Sequence, residues 1–390
     1  MPQTLTVLVP VRQGQEAALR AVLRPIGDDI RGTKTRGTED RPRIEFTRST
    51  RIHFARFGIL ADPDRGADRY RLLYSANHDG TLDEHLAELI SITSDMDAIW
   101  LHCEGYGGVR EFVPFIRKHA HVPDALYMSF RGETVERIHD AIAEPRKSLV
   151  PRSVPERIRG LFFVAGDVAR AIARCGLGNV FRGSQLIVAS LNRYWQFRVW
   201  NWLTGNRMPR RRSLYSSVVI ENCAIGSAGS KDPAYKDPAY KDPAYNDPGF
   251  REDVVAQNQL TLVTPIQPGR ADRVRAVMAA IDSYASRLAP PGSLIGVSTI
   301  HFVKWTVLDD GRRLMMVSDY DGSWESYIDE FAEMILSGLD AIWSTAEGYP
   351  PDGARDVPAF KRFLRSHQIP SEVFFSAYPD ATVLNIVNAL

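Results

Sequence analysis

The sequence predicts an α+β fold built from two similar units in one chain, on three observations. First, short strings recur in the same order: Ile52-His53-Phe54 as Ile300-His301-Phe302, Asp79-Gly80 as Asp321-Gly322, Asp97-Ala98-Ile99-Trp100 as Asp340-Ala341-Ile342-Trp343, and Glu104-Gly105-Tyr106 as Glu347-Gly348-Tyr349. A repeated unit longer than about a hundred residues is too long for a solenoid and reads as paired domains. Second, runs of strand period and runs of helix period follow one another in matching order in both halves. Third, 390 residues leave room for two such units and an insertion.

Each unit opens with a strand, a proline and a glycine, over 5–14 and 260–269. A helix follows, with Ala18, Leu19, Val22 and Leu23 at i, i+3, i+4 spacing in one copy and Val274, Val277 and Met278 in the other. Two strands come next, 51–60 with 70–75 and 299–308 with 313–318; Asp309-Asp310-Gly311 is a hairpin turn signal for the second pair. A helix starts after each Asp-Gly. The Glu-Gly-Tyr loop, a short basic helix ending near His119 or His367, a last strand (125–130 or 372–378) and a closing helix (134–142 or 382–390) complete each unit. Strand–helix–strand–strand–helix–strand is the ferredoxin-like order, with units expected at 1–142 and 258–390. One face of such a sheet is left bare by its helices and has to be buried, so the two units are expected to pack sheet to sheet.

With this element order the chain resembles the α+β barrel superfamily, in which two ferredoxin-like units join their sheets; dye-decolorising peroxidases and chlorite dismutases belong to it. Ala76-Asn77-His78-Asp79-Gly80 and Ser318-Asp319-Tyr320-Asp321-Gly322 are similar to the GxxDG motif of the dye-decolorising peroxidases, although both lack the first glycine. The resemblance implies an apolar pocket for haem or an organic substrate, and an oxidoreductase if the protein is an enzyme.

Between the units, 143–222 reads as a basic, aromatic helical insertion. Around Phe162 and Phe163, Arg170 and Arg174 fall on one side of an amphipathic helix. Trp195, Phe197, Trp200 and Trp202 follow, then Arg210 and Arg211. Indoles in the interface and arginines on anionic headgroups make a membrane-surface anchor; a helical hairpin packed on the barrel, and stacking on single-stranded RNA, are the other readings of such a stretch. Residues 223–257 carry Lys-Asp-Pro-Ala-Tyr repeats, whose regular prolines exclude helix and inner strand, and read as a linker, with a partner-binding tyrosine array as the other reading.

Composition narrows the classes. The hydrophobic fraction of 44% suits a globular chain, and a net charge of +1 gives no global reason to expect nucleic acid. Three cysteines without a CxxC pair argue against a disulfide framework. The start shows no signal-peptide pattern and no window is long enough to span a bilayer, so the expected location is cytoplasmic and peripheral to a membrane.

Candidate chemistry lies in the recurring polar residues. His53 and His301 fall on the second strand of each unit. By strict alternation His53 lies with Ala55 and Phe57, and Arg56 with Phe54. Asp79 and Asp321 sit at a helix start, where a carboxylate caps N–H groups. Glu104 and Glu347 either line a pocket mouth or belong to a turn in which glycine takes a positive φ. The expected function is binding of a small lipophilic molecule between the halves, with redox chemistry on His53, His301, Arg56 and Asp79. A haem peroxidase and a non-catalytic scaffold recruited to membranes are the alternatives.

Overall fold

The computed structural model describes residues 2–32, 43–143, 256–287 and 289–390. Almost all of the expected insertion and linker, including Phe162, Phe163, Arg170, Arg174, Trp195, Phe197, Trp200, Trp202, Arg210 and Arg211, lies outside the described residues.

The first half runs β1 (Pro2–Pro10), α1 (Glu16–Ile30), β2 (Ile52–Ala61), β3 (Tyr70–Asp79), α2 (Leu82–Ile92), α3 (Asp97–Trp100), α4 (Phe112–His119), β4 (Ala125–Met128) and α5 (Val135–Ala143). The second runs β5 (Gln257–Pro265), α6 (Ala271–Arg287), β6 (Ile300–Leu308), β7 (Arg313–Asp321), α7 (Trp324–Trp343), α8 (Val357–Ser366), β8 (Ser371–Ser376) and α9 (Val383–Ala389). The fold is α+β, with two four-stranded antiparallel sheets, compatible with two ferredoxin-like halves.

Local chemistry explains the boundaries. Asp309, Asp310 and Gly311 all take positive φ and reverse the chain between β6 and β7. Thr81 and Glu84 form a capping box that starts α2, and Thr382 with Asn385 does the same for α9.

The sheets depart from the sequence reading in one respect. The fourth strand does not close its own half. The orders are β1-β3-β2-β8 and β4-β6-β7-β5, so β8 pairs with β2 and β4 pairs with β6. Just before it crosses, each exchanged segment touches its own half: Ala120 bridges Val7, with His121 N–H donating to Thr6 O at 2.8 Å, and Gln368 bridges Leu262, with Ile369 N–H donating to Thr261 O at 2.8 Å. Element order alone carries no information about which sheet a terminal strand joins. The exchange also reaches the cores. Val373 and Phe375 of β8 pack in the helix-side core of the first half, and Ala125 and Tyr127 of β4 pack in that of the second.

Between the sheets the inward residues form layers along the strands, as period-two alternation requires. At one rim Arg71, Asp309, Arg313 and Asp62 close a ring of alternating charge: Arg71 makes two bonds to Asp309 at 2.9 and 3.0 Å, and Arg313 donates to Asp62 at 3.0 Å. Below it Leu8, Leu60 and Leu73 meet Leu308, Met315 and Val317. A polar layer follows, and then an aromatic layer under α5 and α9, which pack on each other.

Candidate functional site

The polar layer is built by charges on strands that face the opposite sheet. Arg56 on β2 reaches β5 and β7, donating to Leu260 O at 3.1 Å, Ser318 O at 3.0 Å, Gln259 Oε1 at 3.2 Å, Thr261 Oγ1 at 3.2 Å and the Asp319 carboxylate. Asn77 Nδ2 donates to the other oxygen of Asp319 at 3.0 Å. In mirror fashion Lys304 on β6 reaches β1 and β3, donating to Thr4 Oγ1 at 2.5 Å, Leu5 O at 2.8 Å and Ala76 O at 3.4 Å. Leu5 is the ladder partner of Ala76, and Leu260 that of Ser318, so each cation clasps a matched strand pair. Burial pushes the Lys304 ammonium below its usual range, with the Arg56 charge adding to the effect and Asp319 opposing it.

The aromatic layer holds both recurring histidines, each 0% exposed. Each occupies a β-bulge: the register shifts between Ile52 and Phe54, and between Ile300 and Phe302. A bulge re-aims a side chain. This corrects the alternation reading, because His53 joins Phe54 and Arg56 between the sheets instead of Ala55 and Phe57 on the helix side. The His53 ring lies 5.5 Å from that of Phe302, and the His301 ring 5.3 Å from that of Phe54.

A carboxylate faces each histidine. His301 Nε2 is 2.7 Å from Asp321 Oδ1; His53 Nε2 is 3.3 Å from Asp79 Oδ1, without hydrogen-bond alignment. The second oxygens of Asp79 and Asp321 accept the N–H of Val135 at 2.8 Å and of Val383 at 2.7 Å. The aspartates therefore serve the first residues of α5 and α9, not the helices that follow them in sequence, which Thr81 and Ser323 cap. Burial opposes ionisation of Asp79, but His53 and the Val135 N–H hold its carboxyl below the usual carboxylate range.

Glu104 and Glu347 stand apart from this cluster. Glu104 pairs with Arg65 at 2.9 Å and Arg69 at 3.3 Å near the surface, and Glu347 is exposed. Gly105 and Gly348 take positive φ, and Tyr106 and Tyr349 donate to Asp97 and Asp340 at 2.7 and 2.6 Å, which is the turn arrangement.

Sequence reasoning missed Tyr378, Phe130, Lys304 and Asp319. Lys304 holds the place in Ile-His-Phe-Val-Lys that Arg56 holds in Ile-His-Phe-Ala-Arg, a signal that was legible. Tyr378 is buried against both histidines, and its hydroxyl lies 3.0 Å from His53 Nδ1. His301 Nδ1 is buried without a hydrogen-bond partner.

His78 and His85 form a second buried pair between β3 and α2. Their rings stack at 4.2 Å and 9°, and Tyr74 OH lies 3.1 Å from His85 Nε2. Burial pushes His78 down from 6.5 to about 4, with Lys304 and His53 lowering it further against the Asp79 contacts, and His85 falls as well. The folded state keeps His78 neutral while the unfolded chain protonates it below about 6.5. Stability is thus complete above that pH and is lost as pH falls toward 4, by about 3 kcal/mol from His78. Urea midpoints at pH 7 and 4.5 should show this loss, and His78→Gln should flatten it; an unchanged slope in the variant would remove His78 as the cause.

The resemblance implies haem, and the cluster does not fit it. The Nε2 atoms already face carboxylates, and His53 Nδ1 faces Tyr378. The His301 ring is walled by Phe54, Phe130 and Tyr378 at 5.3–6.0 Å, so a porphyrin on its Nδ1 would have to replace them. Among the described residues no group of three or more His, Cys, Asp or Glu could hold a metal ion.

No protein-family model matches the chain, and neither the curated proteins nor the solved structures give a match.

Proposed function

We propose that the protein is a peripheral membrane-associated binder of a small lipophilic molecule, held in the aromatic layer under α5 and α9. On this reading the two halves are a duplicated unit whose sheets join into one α+β barrel, and the layer is its closed end. The observation that carries the reading is the buried, unpartnered Nδ1 of His301, ringed by Phe54, Phe130 and Tyr378. Leaving such an atom unsatisfied costs about 1–3 kcal/mol, which a ligand donor removes. Nε2 is turned to Asp321, so Nδ1 is the ring nitrogen that a ligand hydroxyl would meet.

The neighbouring chain supports a lipid-facing role. α5 ends at Ala143, and the chain is described again from Ala256, whose carbonyl accepts from Gly322 N–H. Gln257 then bonds the Tyr378 and Ala381 carbonyls. The described residues that flank 144–255 thus lie at the end of the molecule that holds the histidines. Among the described residues no helix is long and apolar enough to cross a membrane.

Solvent extraction of the purified protein followed by mass spectrometry is expected to release a lipophilic molecule from wild type and much less from His301→Ala, with no Soret band in either. Deleting 144–255 should abolish co-sedimentation with anionic liposomes, and wild-type binding should weaken with salt. An empty extract with liposome binding intact would leave the scaffold reading in place of this one.

A further inference from the structure

The two histidine sites are equivalent in register but not in chemistry. Ala377 N–H donates to His53 O, and Ser129 N–H donates to His301 O, both at 2.9 Å. The next residues, Tyr378 and Phe130, therefore hold the same position against their respective histidines. Their rings stand 6.0 and 5.7 Å from those histidines, both edge-on. In both sites Nε2 is turned to the aspartate, which leaves Nδ1 for the aromatic side. Tyr378 brings a hydroxyl to His53 Nδ1; Phe130 has none to bring, and His301 Nδ1 goes without.

We infer that the ligand of this site is a phenol with an apolar body, whose hydroxyl donates to His301 Nδ1 from the side on which the Tyr378 hydroxyl lies 3.0 Å from His53 Nδ1. The inference rests on the lipophile-binding reading above and names the chemical class. A carboxylate ligand is disfavoured by Asp79, Asp319 and Asp321, which already face this region. A hydrocarbon would leave the nitrogen unpaired. Phe130 lies on the short loop between β4 and α5, with Gly132 at φ +83°, and its ring holds the place against His301 that the phenol takes.

The test uses the full chain with 15N-labelled histidine and two matched probes, 4-pentylphenol and 4-pentylanisole, which differ only in the donor hydrogen and one methyl. Wild type should bind the phenol at least tenfold more tightly than the ether, with a shift of the His301 Nδ1 resonance. Phe130→Tyr places a hydroxyl on that nitrogen from within and should lose the phenol preference. Equal binding of the two probes by wild type would overturn the phenol inference while leaving a lipophile site, and this comparison needs no variant. Binding of neither probe, with nothing in the solvent extract, would overturn both the inference and the reading beneath it.

Discussion

Arg56→Ala is expected to destabilise the protein by about 3–5 kcal/mol, the usual effect of removing one member of a buried ion pair. The guanidinium is the main countercharge of Asp319, and both groups are almost fully buried, so its loss strands a carboxylate with Asn77 Nδ2 as its nearest remaining donor. It also removes the hydrogen bonds by which this side chain ties β2 to β5 and β7. Against a typical total of 5–15 kcal/mol this is enough to threaten folding at 37 °C. Urea unfolding at pH 7 measures it. Arg56→Met combined with Asp319→Leu should recover part of the loss, because the stranded charge is gone. A single-variant loss below about 1 kcal/mol would mean that water reaches the pair.

Separate production of 1–143 and 256–390 should give two fragments that do not unfold cooperatively alone but combine into a folded complex when mixed. Each fragment lacks the strand that completes its sheet, since β8 belongs beside β2 and β4 beside β6. Each also loses the opposing sheet that covers Phe54 or Phe302 and either Leu60 and Leu73 or Met315 and Val317. The exchanged strands, the polar layer and the charged rim all run between the fragments. Gel filtration and circular dichroism of each fragment and of the mixture decide the matter; a folded, monomeric 1–143 would contradict the role given to β8.

Much of the fold was legible because periodicity and turn chemistry act locally. The strand at 300–308 and the turn at Asp309-Asp310-Gly311 follow from side-chain alternation and backbone preference alone. Partner choice is not local: nothing within 125–128 states that its neighbour is β6. The site was legible in its ingredients, since His53, His301, Arg56, Asp79 and Asp321 all face the space between the sheets or its capping helices. Their arrangement was hidden by two bulges, which break the alternation that assigned His53 to the wrong face. Sequence proximity pairs the aspartates with the helices that follow them, whereas their carboxylates accept from the first residues of α5 and α9. Tyr378 escaped notice because its half-mate is Phe130, so it carries no recurrence.

The strand exchange also sets an order of events during synthesis. β2 is complete more than 300 residues before β8 appears. At about 5–20 residues per second the open edge of β2 waits roughly 15–60 s for its neighbour on the ribosome. Through that interval Phe54 and its strand are exposed as an unpaired edge, the kind of surface that recruits other chains. Yield in cells is therefore expected to depend on translation rate and on chaperone supply more steeply than the stability of the finished molecule would indicate.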